Sequence, residues 1–312
     1  MTNYKDLRIV FMGTPGFATG VLKHLVESKC NIVGVVTAAD KPAGRGRKLQ
    51  SSEVACYAES VGLNILKPKN LKDPIFSERI KGLNADICVV VAFRMLPESV
   101  WSLRPTFNLH ASLLPQYRGA APINWAIING EKKTGVTTFF IEKEIDTGKI
   151  ISHKEVNITD DDNVGTLHDK LMNVGADLVL ETLISFANED IEPKIQNVQE
   201  KKLIPAPKIF KEDCQINWEQ TTEDIHNFIR GLSPYPTAWT NIKNTCGEDI
   251  SLKIYDVNAE IIEHKEPAGT LFTDNKTYMK ISTCDGYINI KELQLPGRKR
   301  LPIKQVLSGY KF

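Results

Sequence analysis

Leu7-Arg8-Ile9-Val10-Phe11-Met12-Gly13-Thr14-Pro15-Gly16 opens the chain with an apolar run that stops at a glycine turn. Directly after it, Phe17, Val21, Leu22, Leu25 and Val26 recur at helical spacing. Ile32 to Thr37 is then apolar and β-branched. Residues three and four apart share a helix face, whereas β-branched runs suit a strand. Strand, turn, helix and strand together make a βαβ unit. Outward from it, Ser52 to Val61 reads as helix, Asn64 to Leu66 as a short extended piece and Asp73 to Leu83 as helix. Pro74 falls in that helix's first turn, where its missing N–H is tolerated. Asp86 to Ala92 is a near-continuous apolar strand, the pattern of a strand covered on both faces. The alternation predicts an α/β fold with a Rossmann-like, doubly wound parallel sheet at the N-terminal end.

Further along, Thr134 to Ile141 and Gly148 to Val156 read as partnered strands, and Asn163 to Ala187 as one long helix. The texture changes at Asn188 to Pro207, which is polar, holds Pro193, Pro205 and Pro207, and has little periodicity. That is a linker signature. Thr221 to Leu232 reads as a short helix. Ser251 to Val257, Thr277 to Ser282 and Tyr287 to Leu293 are short alternating runs. Short strands with turns between them predict a smaller C-terminal antiparallel β-barrel, OB-like in kind. The expected division of the 312 residues is 1–188, a linker at 189–207, and 208–312.

The composition is that of an ordinary globular protein, with 42% hydrophobic and 25% charged residues. Lys and Arg number 39 against 38 Asp and Glu, a net charge of +1, which excludes a uniformly basic chain. No apolar run is long enough to span a membrane, and the N-terminus lacks the charge and h-region of a signal peptide. A cytoplasmic protein with no membrane partner is expected. The cysteines at 30, 56, 88, 214, 246 and 284 form no C-x-x-C pair, so reduced thiols are expected and no metal site is predicted. The histidines are likewise dispersed.

Gly13-Thr14-Pro15-Gly16 is not a dinucleotide fingerprint, because the third glycine is missing and Pro15 removes an N–H. The chemistry-bearing stretch is Phe107-Asn108-Leu109-His110-Ala111-Ser112-Leu113-Leu114-Pro115-Gln116-Tyr117-Arg118-Gly119-Ala120-Ala121-Pro122. In an extended chain Asn108 and His110 face one way and Leu109 the other. An amide and an imidazole then stand together near a strand end. Ser112 to Pro115 ends in a proline-fixed loop suited to a rigid wall with backbone polar groups turned outward. Asp146-Thr147-Gly148 sets a carboxylate in a turn between two predicted strands.

Asn108, His110 and Asp146 resemble the Asn–His–Asp set of the folate-dependent formyltransferases. Phe11 to Pro15, Asp40 to Leu49, Leu113 to Pro122, Ala206 to Lys208, Trp218, Ser233 to Pro236 with Trp239, and Pro296 to Lys299 extend the resemblance along the chain. They resemble in particular the members that act on charged tRNA. The resemblance implies transfer of the formyl group of 10-formyltetrahydrofolate, as co-substrate, to the α-amino group of methionyl initiator tRNA. It makes residues 1–188 the catalytic domain and 208–312 a tRNA-binding domain. It implies that Asn108 stabilises the oxyanion, and that His110 and Asp146 handle protons, their division of labour left open. It places Ser112, Leu113, Leu114 and Pro115 in the folate pocket, bordered by Val89 to Leu96. Phe93-Arg94 departs there from the Tyr-Gly common in relatives.

Lys41, Arg45, Arg47 and Lys48 form a basic loop without an acid, made flexible by Gly44 and Gly46. The resemblance places this loop at the tRNA acceptor end. Arg298, Lys299 and Arg300 lie in a tail, 293–312, that has no Asp or Glu. They are expected to bind tRNA as well, in a discontinuous basic track. The alternatives are a sugar-nucleotide N-formyltransferase, which shares the Asn–His–Asp set but is not expected to carry the basic insertion, and an inactive folate- or tRNA-binding relative. A monomer is expected.

Overall fold

A computed structural model of the chain describes residues 3–43, 48–198, 202–243 and 247–312. The chain forms two compact units. The first holds β1 (Arg8–Gly13), α1 (Gly16–Glu27), β2 (Asn31–Val36), β3 (Lys41–Ala43), β4 (Lys48–Gln50), α2 (Glu53–Ser60), β5 (Ile65–Leu66) and α3 (Pro74–Gly82). β6 (Ile87–Val91), α4 (Glu98–Trp101) and β7 (Thr106–His110) follow. After α5 (Pro122–Ile128), which belongs to the second unit, come β8 (Lys133–Phe140), β9 (Ile150–Asn157) and α6 (Val164–Ala187), whose residues up to Leu167 also do.

Seven strands form one sheet in the order β5-β2-β1-β6-β7-β8-β9. β5, β2, β1, β6 and β7 run parallel. β8 and β9 are added antiparallel, so the sheet is mixed. The Rossmann-like expectation therefore holds, with an antiparallel extension beyond β7. The strand order reverses at β1 and β6, the kind of place where open α/β sheets leave a crevice at the carboxyl ends of strands. All five residues of β6 are buried, as its unbroken apolar run requires.

Pro74 sits in the first turn of α3, as read, and other local features accompany it. Asp73 caps α3 by accepting from the Ile75 N–H at 3.0 Å, with Pro74 in the first turn. Ser52 caps α2 through the Ala55 N–H at 3.0 Å. Gly13 is required by packing: a Cβ there would stand 2.5 Å from the Ala18 Cβ and 3.0 Å from the Val91 carbonyl oxygen. α4 and α5 escape a periodicity reading because each spans two turns or fewer.

The second unit holds 206–312 together with 120–132 and 158–167. Its elements include α7 (Thr222–Leu232), β10 (Ala238–Lys243), β11 (Asp249–Ile261), β12 (Leu271–Thr273), β13 (Met279–Ser282), β14 (Gly286–Gln294), β15 (Arg300–Pro302) and α8 (Ile303–Gly309). The sheet order is β10-β11-β14-β13-β12, with β15 on β14. All its pairings are antiparallel. It is a half-barrel: among the described residues β10 and β12 do not pair to close it. Ile225, Ile229 and Leu232 of α7 fill its concave side with Leu252, Ile254, Ile281, Ile288, Ile290 and Leu293.

The units do not follow the chain boundaries read from the sequence. Residues 120–132 join the second because the Asn124 side chain donates to the Gly231 carbonyl at 2.8 Å and Gly231 lets Ile128 approach. Residues 158–167 join it because the buried Arg230 donates to the carbonyls of Thr159 and Asp162 at 3.1 and 2.9 Å. The described residues of 189–205 pack with the first unit. They carry no helix or strand: beyond a single bridge from Lys194 to Ile150 of β9, their hydrogen bonds to the rest of the unit go mainly to loops.

Candidate active site

Asn108 and His110 stand on β7, paired with Phe139 and Thr137 of β8. Leu109 between them turns to the α6 side, where Gly175 makes room: a Cβ there would reach the Leu109 side chain at 2.8 Å. The Asn108 amide is half-buried and has no hydrogen-bond partner among the described residues. His110 is buried. Its Nε2 lies 2.8 Å from the Tyr117 carbonyl oxygen. A carbonyl can only accept, so Nε2 carries the proton and donates. Nδ1 is left facing Asp146 Oδ2 at 3.8 Å, with the two side chains 7% and 11% exposed.

That separation is too long for a direct hydrogen bond and short enough for strong coupling of charges. In neutral His110 the Nδ1 lone pair faces a carboxylate. The contact becomes favourable when a proton enters the gap. Asp146 is positioned by its main chain: φ is +55°, left-handed, and Oδ2 accepts from the Gly119 N–H at 2.9 Å. Oδ1 has no partner among the described residues. Tyr117, whose carbonyl fixes the His110 tautomer, is itself left-handed at φ +60°. Its N–H is held by the Ile204 carbonyl at 2.7 Å.

In the loop Ser112 to Pro115, three of the backbone groups expected to turn outward are bonded within the protein instead. The Ser112 carbonyl accepts from Thr137 Oγ1 at 2.6 Å, and the Leu114 N–H donates to the same oxygen at 3.3 Å. The Leu113 carbonyl accepts from the Gln116 N–H at 3.1 Å. Thr137 on β8 thus consumes groups the sequence could not show to be taken. Ser112 and Leu114 are buried, while Leu113 and Pro115 keep partly open side chains. Leu113 rests on Gly135, where a Cβ would come within 2.5 Å of it.

A cavity of about 610 Å³ opens at the carboxyl ends of β1, β2 and β6. Thr14, Pro15, Ala38, Ala39 and Ala92 give it small walls, and Lys41, Lys69 and Arg94 give it basic ones. Asn108, His110 and Asp146 do not line it; β7, next to β6 in the sheet, carries the first two. Arg94 donates to the carbonyls of Pro68 and Lys69 at 2.5 and 3.2 Å. Asp40, also on the wall, accepts from Lys67 Nζ at 2.8 Å and Ser51 Oγ at 2.9 Å. These bonds hold its carboxyl below the usual carboxylate range.

The described ends of the basic loop form a short ladder. β3 and β4 pair antiparallel, and the Asp40–Ser51–Lys67 clasp ties their bases together. Arg45 and Arg47 lie outside the described residues, and Lys48 begins β4. In the second unit Arg298 and Lys299 are exposed. Arg300 is already engaged: it binds Glu292 and lies over the Tyr255 ring at 4.6 Å. Gln196 is a site-bearing residue the sequence did not reveal. It is buried at 6% exposure and bonded to the Asp146 turn. No group of three or more His, Cys, Asp or Glu side chains able to hold a metal occurs among the described residues. No described helix is long and apolar enough to cross a membrane.

The sheet with its crevice at the carboxyl ends, and the placing of Asn108 and His110 on one strand with Asp146 facing His110, fit the formyltransferase class that the resemblance led us to expect. The formyl transferase model matches residues 7–183 and the formyl transferase C-terminal domain model matches 208–311. The chain belongs to the formyl transferase family. Its full-length relatives include methionyl-tRNA formyltransferases. That of Bacteroides thetaiotaomicron is 51% identical, covering 99% of this chain and 97% of the relative. That of Phocaeicola vulgatus is 54% identical, covering 98% and 97%.

Solved structures agree on the fold. HypX from Aquifex aeolicus, in complex with tetrahydrofolic acid, superposes with TM-score 0.65 at 20% identity over 96% of this chain, which spans 47% of that protein. The N-formyltransferase of Helicobacter canadensis, with folinic acid and dTDP-3-aminofucose, also gives 0.65 at 20% identity, covering 95% of this chain and 100% of that one.

Proposed function

We propose that this chain transfers the formyl group of 10-formyltetrahydrofolate to the α-amino group of methionyl initiator tRNA. The observation that carries the chemistry is the 3.8 Å His110–Asp146 gap beside the unpartnered Asn108 amide. The similarity to methionyl-tRNA formyltransferases along the whole chain supports the acceptor.

Asn108 donates an N–H to the oxygen that gains charge as the amine attacks; such a donor contributes roughly 10²–10³ in rate. It does so without titrating. His110 has one nitrogen committed to Tyr117, so its proton traffic passes through Nδ1. Asp146 keeps Oδ1 free to take a proton from the attacking amine while Gly119 holds Oδ2; as the tetrahedral intermediate collapses, the bond from the formyl carbon to the folate N10 breaks, N10 receives a proton and tetrahydrofolate leaves. His110 and Asp146 share the amine proton's path across the 3.8 Å gap, where opposite charges attract. No thiol is needed as a nucleophile. Cys30 and Cys88 are pushed up to about 11 by burial and are poor thiolates.

The folate fits the residues present. Leu113 and Pro115 offer partly open apolar surface on a loop pinned to β8, which suits a flat ring system. The basic walls of the cavity, among them Lys41, suit the acceptor end; Arg45, Arg47 and Lys48, which follow Lys41 in sequence, are assigned to the same tRNA end by the resemblance. Arg298 and Lys299 are assigned to tRNA phosphates in the second unit; Arg300 contributes less because Glu292 already neutralises it. Residues 1–188 serve the chemistry, and 208–312, after the linker at 189–207, hold the tRNA. The protein is assigned to the cytoplasm, as a monomer.

The direct test supplies 10-formyltetrahydrofolate with methionyl initiator tRNA, methionyl elongator tRNA or an amino-sugar nucleotide. Formylation of the first alone is expected. Preferential formylation of the sugar would overturn the reading.

A further inference from the structure

Gln196 sits in the proline-bearing stretch 188–207, where nothing in the residue pattern marks it. Yet it is one of the most completely bonded side chains near the site. Its Nε2 donates to the carbonyls of Asp146 at 2.9 Å and Gly148 at 2.8 Å. Its Oε1 accepts from Arg118 Nε at 3.2 Å and Nη2 at 2.6 Å. Both amide protons and both oxygen lone pairs are therefore used, the full capacity of a glutamine. Two loops are joined by this one side chain. One is the Asp146 turn. The other carries Tyr117, which holds His110, and Gly119, which holds Asp146 Oδ2. The segment is anchored independently, because Lys194 and Ile150 exchange both backbone hydrogen bonds at 2.8 Å.

We infer that Gln196 is a positioning residue for catalysis, setting the separation between His110 Nδ1 and Asp146. The inference rests on the proposed reading that this pair shares a proton. Asp146 has a left-handed backbone, and the two carbonyls flanking Thr147 converge on the Gln196 amide. Without those donors the buried Gly148 carbonyl and the part-buried Asp146 carbonyl lose this partner, and the turn is free to relax to a more populated conformation. The Arg118 bond closes the bracket from the opposite side. A misplacement of about 1 Å between reacting groups costs up to roughly a hundredfold in rate.

The test compares Gln196→Glu, Gln196→Met and Asp146→Asn in the full chain. Gln196→Glu keeps shape and its bond to Arg118 but sets a carboxylate oxygen against two carbonyls. Gln196→Met keeps length and removes every polar contact. Both are expected to lower kcat roughly tenfold to a hundredfold. KM for the folate and for charged tRNA should stay within about threefold, and the pH dependence of kcat should move, because the coupling of the pair has changed. Should Gln196→Glu fold poorly, Gln196→Asn, too short to reach both carbonyls, carries the same comparison. A residue that merely pinned the segment would change melting temperature and leave the kcat–pH profile in place. Wild-type kcat and profile in the Gln196 variants, with Asp146→Asn inactive, would overturn this inference and leave the site reading intact. Full turnover in Asp146→Asn would instead remove the reading on which it rests.

Discussion

Asp146→Asn isolates one physical quantity, the charge facing His110. Asparagine has the same shape and tolerates a left-handed backbone better than most residues, so φ +55° is retained. Its side-chain oxygen can still accept from the Gly119 N–H, now at 2.9 Å from Oδ2. What disappears is the carboxylate 3.8 Å from Nδ1. With an effective dielectric of about 20, two unit charges at that distance interact by about 4 kcal/mol. That is about a thousandfold in rate if the full interaction develops only as the proton moves, within the range of roughly 10²–10⁴ for acid–base groups. The assay is formation of N-formylmethionyl-tRNA at saturating 10-formyltetrahydrofolate, with kcat and KM for charged tRNA determined separately. The expected result is a large fall in kcat with KM nearly unchanged, because the lost interaction belongs to the transition state. Asp146→Ala should fall further, since it also frees the Gly119 N–H. Retention of more than a tenth of wild-type kcat by Asp146→Asn would refute the charge-coupling argument.

Gly135→Ala should raise the KM for the folate about tenfold while sparing that for charged tRNA, because the new Cβ would stand 2.5 Å from Leu113 and 2.2 Å from the Lys154 carbonyl; overpacking of this kind costs roughly 1–3 kcal/mol. An unchanged folate KM would take Leu113 out of the pocket. Iodoacetamide at neutral pH should alkylate the exposed Cys56 and Cys284 ahead of Cys30, Cys88 and Cys214 and leave formylation intact. Loss of turnover in step with labelling would point to a nucleophilic thiol. Arg298→Ala with Lys299→Ala should raise the KM for charged tRNA and flatten its salt dependence, by about one unit of slope for each phosphate left without its cation. Arg300→Ala should add little, given its bond to Glu292.

The sheet was legible because burial on both faces leaves a mark in composition: Ile87 to Val91 is apolar at every position. Pro74 was legible as a first-turn residue because its effect stays within its own turn. The half-barrel was legible as alternation, although whether its edges met was not, since closure depends on pairing between distant strands. Asn108, His110 and Asp146 were placed by resemblance, and the two-residue period of β7 explains why the first two share a face. The engagement of Arg300 was hidden because Glu292 comes opposite it only once β14 and β15 pair. The second unit's claim on 120–132 and 158–167 was hidden for the same reason, as Asn124 and Arg230 make their bonds to segments far along the chain.

Gln196 marks a deeper limit of reading residue types in order. The chemistry of His110 is decided less by being histidine than by which nitrogen the Tyr117 carbonyl takes. That carbonyl is aimed by a left-handed tyrosine, and the facing carboxylate by a left-handed aspartate, neither of them the glycine that usually announces such a backbone. Both turns are held through residues 116–119 and 146–148 by a segment composed like a linker. Low periodicity in 188–207 therefore does not mean idle chain. A segment whose backbone and amides bond to loops has no reason to alternate or to repeat at 3.6. Its function is carried by single side chains such as Gln196, each with more hydrogen bonds than an exposed linker residue would make.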